Sequence, residues 1–122
     1  MRHVVFLLEE KRFSLPLSTV KEVFPMPSSV SRVPRGPKVV EGIVNLRGKV
    51  VTLINLQMLL GLKDKRLTSH TVLLLDRTRG AVGLMVNQVE GIQEVTEPER
   101  PIHSLNAEDI EQAVAEAFNQ LA

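Results

Sequence analysis

Hydrophobic and polar positions divide the chain into short strand-like stretches separated by polar or proline-rich breaks. Val4-Val5-Phe6-Leu7-Leu8 is a continuous apolar run, Glu9-Glu10-Lys11 is polar, and Phe13, Leu15 and Leu17 then alternate with polar or small residues. The pattern predicts a hairpin whose first strand is buried on both faces and whose second is half-buried. Ser18-Thr19 makes a break, after which Val20 to Phe24 alternates again. Residues 25–37 contain four prolines and three serines, which predicts an irregular surface connection, because proline removes backbone donors and disfavours helix before it.

The stretch Val40 to Leu62 carries the densest pattern. Gly42 to Leu46 is a short apolar run, Arg47-Gly48 has turn chemistry, and Lys49 to Ile54 is rich in valine and leucine like a buried strand. Asn55 can cap a short helix over Leu56 to Leu60, with Gly61 as its stop. Beyond a charged loop at Lys63 to Thr68, Val72 to Leu75 and Ala81 to Val86 predict two strands joined by a turn at Asp76 to Gly80. Val82, Leu84 and Val86 share one face; Ala81, Gly83 and Met85 share the other. Val89 to Val95 predicts a further strand, with a bulge or close backbone approach at Gly91.

Thr96 to Ser104 reads as a proline-containing loop leading into a helix. Asn106 is a good N-cap, Leu105 and Ile110 fit a hydrophobic staple, and Glu108, Asp109 and Glu111 lie where the helix dipole favours acid. Ile110, Ala113, Val114, Ala117, Phe118 and Leu121 fall on one face of a helix at Ala107 to Leu121. Docking of that face on its own domain is expected; a partner is the alternative.

Composition narrows the function classes. In a chain of 122 residues, 43% hydrophobic and 24% charged, one domain or two small subdomains sharing a core is expected. The net charge of +1, with basic and acidic side chains interspersed, lacks the basic excess of most nucleic-acid binders. A small nucleic-acid-binding β-barrel remains the alternative from another class. A basic stripe through Arg32, Arg35, Lys38 and Arg47 would serve it, but Phe6, Phe13, Phe24 and Phe118 all sit in apolar patterns. Cysteine is absent, so thiol chemistry and disulfides are excluded. His3, His70 and His103 have no metal-ligand spacing, and no nucleophile elbow or phosphate loop occurs, so neither catalytic residues, metal nor cofactor are expected. No apolar run is long enough to span a bilayer and no signal-peptide pattern leads the chain, so no membrane insertion and a cytoplasmic location are expected.

GIVNLRGKVVTLINLQMLLG resembles the GxxNLRGxVxPVxDLxxxLG signature of the CheW-like domain family, the adaptor module of bacterial chemosensory arrays. Phe6, Leu8, Val20, Glu22 and Val23 fit the family's opening "FxLxxxxxxxxxxxVxEV" pattern, and TVLLLDRTRGAVGLMVNQVEGIQEV resembles its second half. The resemblance implies a mainly β fold: two small SH3-like β-barrel subdomains packed together, the second reduced, with a C-terminal α-helix. Residues 1–122 would form a single CheW-like domain, with 1–104 the paired barrel region and 105–122 the amphipathic helix. It also implies a non-enzymatic adaptor that binds the cytoplasmic region of methyl-accepting chemoreceptors and links them to, or modulates their coupling with, the regulatory domain of a CheA-type histidine kinase. Val20, Glu22, Asn45, Arg47 and Gly48 are the receptor-face residues so implied, with Arg47 tied to Glu22.

The chain departs from the pattern at Thr52 (usually proline), Asn55 (usually aspartate) and Asn87 (usually aspartate), the last expected to weaken a partner contact. The family's LLxLD strand before the last helix, and the turn leading to it, are expected to be missing, since eleven residues can span the domain once but not also form a hairpin. An open barrel edge is then expected, covered by the helix, a second copy or a partner, with receptor contact retained and kinase contact altered or lost.

Overall fold

The computed structural model describes residues 2–32, 38–62, 68–77, 80–94 and 102–119, the side chains at 102–104, 107 and 117–119 excepted. In chain order the elements are β1 (Arg2–Leu8), β2 (Lys11–Pro16), β3 (Val20–Pro25), β4 (Val40–Leu46), β5 (Lys49–Asn55), α1 (Leu56–Leu59), β6 (Thr71–Leu75), β7 (Ala81–Val86), β8 (Gln88–Glu94), β9 (Ile102–Ser104) and α2 (Ala107–Asn119). They form two sheets, one of four strands in the order β8-β1-β2-β9 and one of five in the order β3-β6-β7-β5-β4. The fold is mainly β with two packed sheet subdomains and a C-terminal helix, as the resemblance implied.

The five-stranded sheet is buried on both faces. Leu73, Leu75, Val82, Leu84 and Val86 join Val4, Phe6, Leu8, Phe13 and Leu15 of the other sheet in one core. On the opposite face Phe24, Val44, Val51, Leu53, Val72, Leu74 and Met85 form a second core. The expected division of β7 into a Val82, Leu84, Val86 face and a Gly83, Met85 face therefore holds, and both faces are core. Gly83 is required by this packing, because a Cβ there would lie 2.6 Å from Val72 Cγ1.

Closure of the second sheet comes from the proline-rich segment. Ser31 pairs with Ile43 on the outer edge of β4 through two backbone hydrogen bonds of 3.0 and 2.8 Å. Met26 and Val30 pack on the second core. Only Gly42 fits beneath this strap: a Cβ would come within 2.5 Å of the Ser31 carbonyl oxygen.

Two expectations need correction. β2 is not half-buried, since Phe13, Ser14 and Leu15 are all buried. Phe13 and Leu15 face the shared core, while Ser14 on the other face meets His3 Nδ1 at 3.0 Å and its carbonyl accepts from the Leu105 N–H at 2.8 Å. The loop expected through Ser104 ends instead in β9, which pairs in parallel with β2. A short strand thus precedes the last helix, where none was expected. Three residues without alternating polarity left no periodic signal.

The remaining local readings hold. Asn55 Oδ1 accepts from the Met58 N–H at 3.2 Å, and α1 ends in a Schellman arrangement, with Gly61 N–H on the Met58 carbonyl and Leu62 N–H on that of Gln57, each at 3.0 Å. Gly91 marks a register shift between β1 and β8, with open space around its Cβ direction, so it serves a bulge and not a close approach. Asn106 caps α2 by accepting from the Glu108 N–H at 2.7 Å. Ile110 and Val114 enter the main core with Leu105 packed against it, so this face docks on its own chain. Burial of the two side chains contributes roughly 1.5–3 kcal/mol each. The expected packing of Ala117, Phe118 and Leu121 lies outside the described side chains.

Candidate functional site

The hairpin between β4 and β5 turns in two residues, with Arg47 at φ 50° and Gly48 at φ 84°. Two positive φ values give the turn a twist matching that of the strands it joins, and Asn45 Oδ1 accepts from the Gly48 N–H at 2.9 Å. Glycine occupies its position without strain. Arginine does not, and left-handed backbone at a non-glycine residue is a reason to ask what its side chain does.

Arg47 Nη2 donates to Glu22 Oε1 on β3. Glu22 is aimed there by a bulge: Val20 pairs with Leu75 but Glu22 with Leu74, leaving Lys21 as the extra residue. Leu75 belongs to the shared core and Leu74 to the second one, so Val20 and Glu22 lie on opposite faces although two apart in sequence. The regular alternation expected from Val20 to Phe24 is broken at Lys21 for this reason. Val20 is half-buried and packs against the shared core.

The structure therefore brings Glu22, Asn45, Arg47 and Gly48 together and places Val20 behind them. Beside the ion pair lies an open cleft of about 470 Å³, walled by β3, the β4–β5 turn, the end of β6 with Arg77 beyond it, and the start of β7. A second, of about 390 Å³, lies across the hairpin between Ser29, Ser31 and Asn45, and Val50 lines both. Lys21, Lys49 and Arg77 also line the larger cleft and were not singled out from sequence, since they come from three separate parts of the chain that only the folded sheet brings together. Arg77 Nε meets Glu111 Oε1 of α2 at 3.1 Å, tying the helix to the cleft wall.

Asn87, at the passage from β7 to β8, has a structural use. Its Oδ1 accepts from the Glu9 N–H at 2.9 Å and its Nδ2 donates to the Thr68 carbonyl at 2.9 Å. Glu9, at φ 57°, also accepts from Gln57 Nε2 at 2.6 Å, joining the β1–β2 turn to α1. An aspartate could not donate to Thr68.

Chemistry of other kinds finds little here. Among the described residues no group of three or more His, Cys, Asp or Glu side chains could hold a metal ion, and no helix is long and apolar enough to cross a membrane. Of the candidate basic stripe, Arg32 lies 3.8 Å from Glu41, Arg47 is paired with Glu22, Lys38 is exposed, and Arg35 lies outside the described residues. Phe6, Phe13 and Phe24 are buried, Phe6 and Phe13 stacked at 6.3 Å, so none offers a face for base stacking.

Comparison with known proteins places the chain in a family. Chemotaxis protein CheW of Thermotoga maritima is 26% identical over 92 residues, covering 75% of this chain and 60% of its own length. The probable chemotaxis protein CheW of Rhizobium etli is 30% identical over 95 residues, covering 77% and 61%. The chain thus spans about three fifths of the length of these relatives. The crystal structure of the scaffolding protein TtCheW from Thermoanaerobacter tengcongensis superposes with a TM-score of 0.70 at 28% identity, covering 82% of this chain and 71% of that one. The family model for the CheW-like domain matches residues 2–119. With the NLRG turn, the two-sheet architecture and the match along nearly its whole length in agreement, the chain belongs to the CheW-like domain family.

Proposed function

We propose that the chain is a non-enzymatic adaptor of a bacterial chemosensory pathway. It binds the cytoplasmic region of methyl-accepting chemoreceptors through the face around Glu22, Asn45, Arg47 and Gly48, with Val20 supporting that face from the core side. It links the receptors to a CheA-type histidine kinase or modulates their coupling with it. Its place of action is the cytoplasm. The observation that carries this reading is the Arg47–Glu22 pair. A strained arginine at an exposed hairpin tip, held by a bulge-aimed glutamate beside an open cleft, is a prearranged surface with no catalytic chemistry around it.

Kinase contact is the reduced function. Only residues 95–101 separate β8 from β9, where the family pattern has a longer connection, although β9 does supply a strand before the last helix. Parallel binding measurements with a chemoreceptor cytoplasmic fragment and the kinase regulatory domain test both statements. Receptor binding with weak or absent kinase binding is expected; binding to neither would overturn the adaptor reading.

The free edge of β8 favours a second association. Among the described residues β8 has a strand neighbour on one side only, and Ile92 there is 58% exposed. A second copy pairing along this edge would cover it. Sedimentation of the wild type and Ile92→Lys tests this: a dimer in the first that becomes a monomer in the second is expected, and a wild-type monomer at all concentrations would refute it.

A further inference from the structure

The cleft beside the Arg47–Glu22 pair gathers more positive charge than its own carboxylate neutralises. Among the described residues Lys21, Arg47, Lys49 and Arg77 line it together with Glu22, and with Arg47 set against Glu22 and Arg77 against Glu111 an excess of two remains, in a chain whose whole net charge is +1. Arg47 is paired with Glu22 and Arg77 with Glu111. Lys21 and Lys49 are exposed and make no ion pair among the described residues. Apolar side chains of Leu46, Val51, Leu74 and Ala81 lie between these charges, and Val50 is 61% exposed on the rim.

We propose that this cleft seats an acidic protein segment, one presenting an apolar side chain flanked by carboxylates. In assigning the segment to a chemoreceptor's cytoplasmic region, the inference rests on the adaptor reading above. An apolar floor rimmed by like charges marks an interaction surface of opposite charge, and such a surface steers its partner and fixes register. The ammonium groups of Lys21 and Lys49 come from different walls, β3 and the start of β5, so carboxylates on both sides of an apolar anchor would each meet one. The Arg47 guanidinium has five N–H donors, enough to hold Glu22 and a partner carboxylate together. A nucleic acid fits less well, because among the described residues no aromatic side chain lines the cleft for stacking and the charges surround one cavity without tracking a strand.

The test uses the isotope-labelled chain and a peptide, Ac-Glu-Glu-Val-Leu-Glu-Glu-NH2, with the corresponding lysine peptide and a short oligothymidylate as controls, followed by amide chemical shifts. The acidic peptide is expected to move the amides of Lys21, Arg47, Lys49, Val50 and Ala81, with an effect that fades between about 50 and about 500 mM salt. The exposed double variant Lys21→Gln/Lys49→Gln should bind it about three- to ten-fold more weakly while keeping wild-type shifts elsewhere. Absence of peptide shifts, shifts indifferent to the double variant, or tighter binding of oligothymidylate at the same amides would each overturn the proposal. In a second arm, a receptor fragment that binds wild type and double variant equally would overturn it while leaving the adaptor reading intact. A peptide response without receptor binding would support the acidic seat and refute the receptor as its occupant.

Discussion

Arg47 and Glu22 join the two end strands of a sheet that runs β3-β6-β7-β5-β4. They are 25 residues apart in sequence, one in the turn that follows β4 and the other on β3, and their contact spans the sheet's opening on the cleft side. Along the same opening the backbone closes through Ser31 and Ile43. The ion pair is thus a side-chain clasp on a nearly closed barrel. With 69% of the Arg47 and 31% of the Glu22 side chain exposed, its contribution to stability is at most about 1 kcal/mol.

Replacing Arg47 separates binding from folding. Asparagine tolerates the left-handed backbone and precedes glycine in the preferred form of this turn, so Arg47→Asn should leave stability unchanged or raise it by about 0.5 kcal/mol. Receptor binding should fall about ten-fold or more. Urea unfolding with titration against a receptor fragment checks both; a stable variant with undiminished binding would remove Arg47 from the receptor face.

Gly42→Ala should destabilise the chain by about 1–3 kcal/mol, because the methyl group would strike the Ser31 carbonyl oxygen and neither backbone can yield without breaking the Ser31–Ile43 pairing. Loss of amide-exchange protection at Ser31 and Ile43, beyond that of the sheet as a whole, is the specific signature. A variant as stable as wild type would show that the strap moves freely.

Truncating the helix face tests its docking. Ile110→Ala should cost about 2–5 kcal/mol, since Ile110 is 2% exposed in the shared core. Glu111→Gln, removing the charged partner of an Arg77 side chain that is only 11% exposed, should cost less, about 1–2 kcal/mol. Calorimetric melting of the two variants gives the comparison, and a small loss for Ile110→Ala would mean that α2 is dispensable to the core.

Acid should weaken the fold through His3. Burial holds its imidazole below the ordinary value of 6.5, and its Nδ1 faces Ser14 Oγ. The unfolded chain then takes up a proton more readily than the folded one. This contribution is fully present above about pH 6.5 and is lost as pH falls from there toward the lower folded-state value. Urea midpoints at about pH 7.5 and about pH 5.5 should therefore drop further for wild type than for His3→Gln; equal drops would show that His3 binds its proton equally well in the folded and the unfolded chain.

Local chemistry determined much of this protein. Alternation and apolar runs gave the strands from β1 to β8, the Asn55 and Asn106 caps gave both helices, and Arg47-Gly48 gave the turn that anchors the site, because each depends on residues a few positions apart. Tertiary structure decided which strands are neighbours. A period of two says which face is buried but not by what, so the parallel pairings of β5 with β7 and β2 with β9, and the crossing from one sheet to the other at Asn87, were hidden. It also decided which charges meet. The bulge at Lys21 turns Glu22 away from the face of Val20 and toward Arg47, and Lys21, Lys49 and Arg77 converge only because the five-stranded sheet curls on itself.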